Sequence, residues 1–217
     1  MTLLDFARGP ALQWALIIMV AGMLWRFFGV LLLMRGKVLS KPRSDKTVWA
    51  GIRTVFKRSW VPPVMSKRTQ YQLVTGYVLH IGLFVVILLF VPHIEFIKGI
   101  TGLSWPGLPN NVITVATVLT IGVLVALLIR RMTQPVLRAI SNADDYISWF
   151  VTMLPLVTGL MAFAHIGPRY ETMLAIHILS VALLMVWIPF GKLMHMVLFI
   201  PSRAQLGAKF ERRGVEA

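Results

Sequence analysis

The chain has 217 residues, 57% of them hydrophobic and only 14% charged, and its mean hydropathy is +0.76. A soluble domain of this length carries roughly 25% charged residues on its surface, so the composition excludes one and points to an integral membrane protein. Lys and Arg number 22 against 8 Asp and Glu, a formal charge of +14, and Cys is absent. The missing Cys excludes disulfides, Cys-ligated zinc, Cys-ligated iron–sulfur clusters and thioether-attached haem in this chain. Any redox centre must use His, Met or Lys.

Five stretches reach the roughly 20 apolar residues that a membrane crossing takes. They predict an all-α integral membrane protein, a five-helix transmembrane bundle in one domain over 1–217, with spans at about 11–34, 71–91, 112–129, 146–164 and 173–200. No A-x-A-like cleavage site follows the first apolar stretch, so that stretch is read as a retained span. After it come Arg35, Lys37, Lys41, Arg43, Lys46, Arg53, Lys57, Arg58, Lys67 and Arg68 against Asp45 alone. Such an excess marks a cytoplasmic loop. The loop with Arg130, Arg131 and Arg138 and the C-terminal end with Lys192, Arg203, Lys209, Arg212 and Arg213 fall on the same side. The N-terminus is therefore expected outside and the C-terminus inside, and the basic charge is read as topology rather than nucleic-acid affinity.

Within the first inner loop, Val48, Ile52, Val55 and Phe56 recur at helical spacing beside Trp49, with Lys46, Arg53 and Lys57 on another face. A short amphipathic helix follows. Attraction to anionic lipid and docking of a partner both remain open for it. The outer segment 92–111, rich in Gly and Pro, is long enough to fold back over the bundle mouth. Gly22, Gly29, Gly76, Gly82, Gly122 and Gly159 read as sites of close helix packing, some of them beside a flat macrocycle.

Five histidines, His80, His93, His165, His177 and His195, lie in or at the ends of the second, fourth and fifth spans. Ligand-type residues in a bilayer are costly, and that makes them functional candidates. His177 and His195 are 18 residues apart, which on one continuous helix places them on the same face about 27 Å apart. His80, in the inner half of an antiparallel helix, is then expected to meet His195. Paired imidazoles from neighbouring helices are what six-coordinate haem iron requires. The spans carry no carboxylates to complete another kind of metal site.

The stretch Leu79-His80-Ile81-Gly82, and above all Ala175-Ile176-His177 followed by Ile188-Pro189-Phe190-Gly191-Lys192-Leu193-Met194-His195, resembles the gamma, or cytochrome b, subunit of respiratory nitrate reductase. Arg138 to Tyr146 is similar to an inner loop of the same superfamily, which includes membrane cytochrome b subunits paired with heterodisulfide-reductase-like iron–sulfur proteins. The resemblance implies a membrane-anchoring dihaem b-type cytochrome subunit in the cytoplasmic membrane of a prokaryote. It would carry electrons between the quinone/quinol pool and a cytoplasmic iron–sulfur subunit linked to a catalytic subunit, and would not be a complete enzyme by itself.

Residue by residue, the resemblance assigns the inner haem iron to His80 and His195 and gives His177 to an outer haem. The family's second outer ligand lies ten residues after the first His, where this chain has Phe90. His93 and His165 are the alternatives. His93 falls about 220° round an ideal helix from His80, but Pro92 can turn it inward. If neither serves, one haem is expected instead of two. A quinone site is expected at the outer mouth, with Glu95 and Lys98 beside His93 as the proton-exchanging groups. The rival readings are a haem-free membrane anchor and a small transporter.

Overall fold

The computed structural model describes residues 1–33, 41–60 and 66–215, the side chains of 66–68 excepted. Met34, Arg35 and Lys37 and the side chains of Lys67 and Arg68 lie outside the described residues. In chain order the helices are α1 (Leu3–Leu33), α2 (Thr47–Lys57), α3 (Ser66–Leu89), α4 (Val91–Thr101), α5 (Asn110–Thr133), α6 (Pro135–Ala139), α7 (Ala143–Phe163), α8 (Tyr170–Trp187) and α9 (His195–Arg212). No strand occurs among the described residues. Helices α1, α3, α5, α7 and α8 are long and apolar enough to cross a membrane, which makes the chain a multi-pass membrane protein.

Two span ends differ from the sequence reading by eight residues or more, the others by at most four. The first helix begins at Leu3 rather than Ala11, started by a capping box between Thr2 and Asp5 and carrying Pro10 in a π-helical turn, Ala7–Ala11. A π turn already lacks regular i to i−4 bonding, so a missing proline N–H costs it little. The last span stops at Trp187, not Ile200. Pro189 cannot continue the hydrogen-bond ladder, Gly191 is extended (φ −99°, ψ −174°), and a 3₁₀ turn, Lys192–Met194, leads into α9. His177 and His195 are therefore on different helices, and the same-face relation derived from an 18-residue spacing does not hold.

The chain forms two compact units, Met1–Gln13 with Thr69–Leu184 and Trp14–Arg68 with Met185–Ala217. The core of the first gathers Leu124 of α5 with Met153 and Leu156 of α7, packed against Leu79, Leu83 and Val86 of α3. Trp149 adds a bond from its indole N–H to the Leu124 carbonyl at 2.8 Å. Thr120 is fully buried opposite Gly82, where any Cβ would overlap its hydroxyl. Small residues let helices approach closely where lipid supplies no hydrophobic drive. The start of α7 is fixed by a second capping box, Asn142 with Asp145. The Asp145 carboxylate also pairs with Arg131 at 3.1 Å, and Arg131 donates to Ser141 at 2.8 Å.

In the second unit, α2 and α9 pack antiparallel: Ser44 donates to Glu211 at 2.6 Å and Arg203 donates to Ser59 at 3.3 Å. Their contact face is made of small residues. A Cβ on Gly51 would stand 2.9 Å from the Ala204 carbonyl oxygen, and one on Gly207 would stand 2.6 Å from that of Ala50. Gly22 of α1 likewise leaves room for Pro189, 2.7 Å from where its Cβ would be. Gly29, Gly76 and Gly122 have no such neighbour among the described residues.

Candidate functional site

Helix α3 ends at Leu89, and Phe90 is extended (φ −81°, ψ 123°) before α4 begins with Pro92 in its first turn. This break re-aims His93. Its Nδ1 returns to the last turn of α3 and donates to the Val86 carbonyl at 2.9 Å. The last four carbonyls of a helix lack intrahelical partners, and the following chain supplies them. Trp105 donates its indole N–H to Leu88 and the Leu108 amide donates to Leu89 at 2.8 Å. Gly107 permits this return, because a Cβ there would stand 2.6 Å from Val91 Cγ2.

The re-aimed ring faces His177 of α8. Their ring centres are 6.2 Å apart and their planes differ by 13°. His177 is held from α7: Thr158 Oγ1 donates to the Leu154 carbonyl at 2.8 Å, which leaves lone pairs to accept from His177 Nδ1–H at 3.3 Å. Ser180, one turn along α8, donates to the His177 carbonyl at 2.6 Å and lies 3.0 Å from the Thr158 hydroxyl. The His177 ring rests on Gly159, where a Cβ would stand 2.9 Å from Cε1. Phe90 packs edge-on to His93 at 5.1 Å and to Phe163 at 5.7 Å. It thus lines the site as an apolar wall.

Hydrogen bonding sets the tautomer of both imidazoles. With Nδ1 donating, the lone pair lies on Nε2, the state in which a histidine binds a metal. Burial pushes the His93 imidazole below the ordinary histidine range, partly offset by the Val86 carbonyl, so the ring is held neutral. His80 and His195 have the same tautomer, with Nδ1 2.7 Å from the Gly76 carbonyl and 2.9 Å from that of Lys192. His80 belongs to the first unit and His195 to the second.

His165 stands apart from this pair. It is exposed, has a left-handed backbone (φ 55°) and stacks on Tyr170 with ring centres 5.1 Å apart. Glu95 and Lys98 pair with each other at 3.6 Å, each more than half exposed. At 100° per residue they lie about 200° and 140° round α4 from His93. The structure therefore does not assemble His93, Glu95 and Lys98 into one slot. Among the described residues no group of three or more His, Asp or Glu gathers as an all-protein metal site. Sequence reasoning passed over Thr158 and Ser180. Ser180 could have been found from its i+3 spacing to His177, which puts both on one helix face.

No protein-family model matches the chain. It is 33% identical over 214 residues to a protein of Nitratidesulfovibrio vulgaris (strain Hildenborough), a match covering 94% of this chain and 92% of that one.

Proposed function

The chain belongs to the family of that Nitratidesulfovibrio vulgaris protein, and from its own residues we propose that it is a b-type cytochrome subunit of a membrane-bound respiratory oxidoreductase. The reading passes electrons between the quinone/quinol pool and a cytoplasmic iron–sulfur partner, itself joined to a catalytic subunit. The observation that carries it is the His93–His177 pair. The two rings stand with centres 6.2 Å apart and planes 13° from parallel. Two imidazoles brought together from separate helices are a donor set that fits a haem iron, which His93 and His177 would hold. Haem bound there would supply reversible one-electron chemistry in the range of a quinone pool.

The chain's own residues do the rest. Val86 O and Thr158 Oγ1 hold the two imidazoles with Nε2 as the basic nitrogen. Gly159 lets the His177 ring lie against the α7 backbone. Phe90, edge-on to His93 and backed by Phe163, sets an apolar wall beside the pair. The sequence resemblance assigns a second haem to His80 and His195, and the positive-inside distribution puts the His93 end outside. The quinone pool is the electron partner at that end.

The test is haem per chain, measured on the detergent-purified protein. Replacing His93 or His177 by Ala is expected to remove one b-type haem from an otherwise inserted chain. Full haem content in both variants would exclude the pair as ligands, and a haem-free wild type would favour a bare membrane anchor.

A further inference from the structure

Helix α2 uses two separate faces. The small one, Gly51 and Thr54, is buried against α9. The other carries the bulky apolar residues of the helix, and the described residues of the second unit leave it largely open: Val48 is 77% exposed, Trp49 66%, Ile52 45% and Phe56 71%. An amphipathic helix packed on a neighbour for stability turns its largest apolar side chains toward that neighbour. Here the reverse is seen. At 100° per residue, Val48, Ile52, Phe56 and Trp49 span about 100° of the helix surface, and Lys46, Arg53 and Lys57 form a basic strip directly beside them. Trp60 follows, also 71% exposed.

We propose that α2 is an in-plane membrane anchor, its Val48–Trp49–Ile52–Phe56 face set among the acyl chains and its Lys46–Arg53–Lys57 strip at anionic lipid headgroups. Three observations commit the face to lipid. The chain is already a multi-pass membrane protein, and α2 lies between two of its spanning helices, with only eight positions, 58–65, separating Lys57 from the start of α3. The face combines aromatic and aliphatic residues with a basic edge, the composition of helices that lie in the interface. The charges border the apolar surface on one flank, from which Lys and Arg reach headgroups while the apolar face is immersed. Packing on α9 through small residues fixes the rotation of α2 about its axis and so sets which face is presented.

The chain has no Cys, so single-Cys variants of the full protein carry one label each. Val48→Cys, Phe56→Cys and Arg53→Cys would be spin-labelled in nanodiscs of phosphatidylglycerol and of phosphatidylcholine. The expected result is that labels at 48 and 56 relax with oxygen and are shielded at least several-fold from an aqueous nickel chelate, with the label at 53 showing the opposite. Amide exchange of 47–57 in the unlabelled protein should be slower in the anionic discs. Reversing Arg53 and Lys57 to Glu together should remove that lipid dependence. Water-exposed labels at 48 and 56 in both lipids, or exchange that ignores lipid charge, would overturn the proposal; exposed labels would point to a protein partner instead.

Discussion

A Cβ placed on Gly159 would stand 2.9 Å from Cε1 and 3.2 Å from Nδ1 of His177. The imidazole thus rests on bare backbone of α7, and its placement opposite His93 depends on a missing methyl group. Gly159→Ala must push the ring away from α7 or shift the helix, an overpacking that costs about 1–3 kcal/mol. The expected outcome is an inserted chain whose outer haem is lost or shifted in midpoint potential, read by a potentiometric titration of the purified protein. A titration superimposable on wild type would show that this contact does not position the ligand.

His93 and His165 are distinguished by the same kind of measurement. His165 stacks on Tyr170 in an exposed turn, whereas His93 is tied to Val86 and faces His177. His165→Ala should keep the haem stoichiometry of wild type. Loss of a haem from that variant and not from His93→Ala would exchange their roles.

Thr158→Val keeps the shape of the side chain and removes the hydroxyl that accepts from His177 Nδ1–H. Without that bond the ring keeps only its bond to the Pro155 backbone, a change expected to weaken metal binding about 10- to 100-fold by analogy with other outer-shell partners. Haem retention against apomyoglobin as a competitor would measure it. Unchanged retention would place the orienting role elsewhere.

The ion pair and cap at the start of α7 make a purely structural prediction. Asp145→Ala removes both the reciprocal bond to Asn142 and the pairing with Arg131. Losing a capping interaction costs about 1 kcal/mol, and a half-buried Arg131 left without this partner adds to it. Thermal unfolding in detergent should begin at lower temperature, with haem content per folded chain unchanged. A transition no lower than that of wild type would count against the cap.

The proposed orientation rests on the basic loops and can be checked separately. With Ser44→Cys and Thr101→Cys as single labels, an impermeant maleimide added to intact cells should modify position 101 and spare position 44. The opposite pattern would invert every inner and outer assignment.

The five spans were legible because a bilayer demands long apolar runs whatever the tertiary structure. Their ends were less so. Pro10 sits inside α1 because a π turn absorbs it, while Pro189 with Gly191 ends α8; a proline alone does not say which will happen. The turning of His93 was legible from Pro92, which breaks the helix one residue ahead of it. Its pairing with His177 was already one of two alternatives, the other being His165, but the cradle of Thr158 and Gly159 was not legible, because it depends on how α7 and α8 pack. The α2–α9 contact was hidden for the same reason: Gly51 and Gly207 show their complementarity only once folded side by side.

The most direct test of the cytochrome reading is an anaerobic difference spectrum of the purified wild-type chain, reduced with a quinol analogue and referenced to the oxidised protein. The account predicts a b-type α-band, with haem at up to two per chain and a fraction of it reduced by quinol alone. A correctly inserted five-span protein that shows no haem absorbance would contradict it.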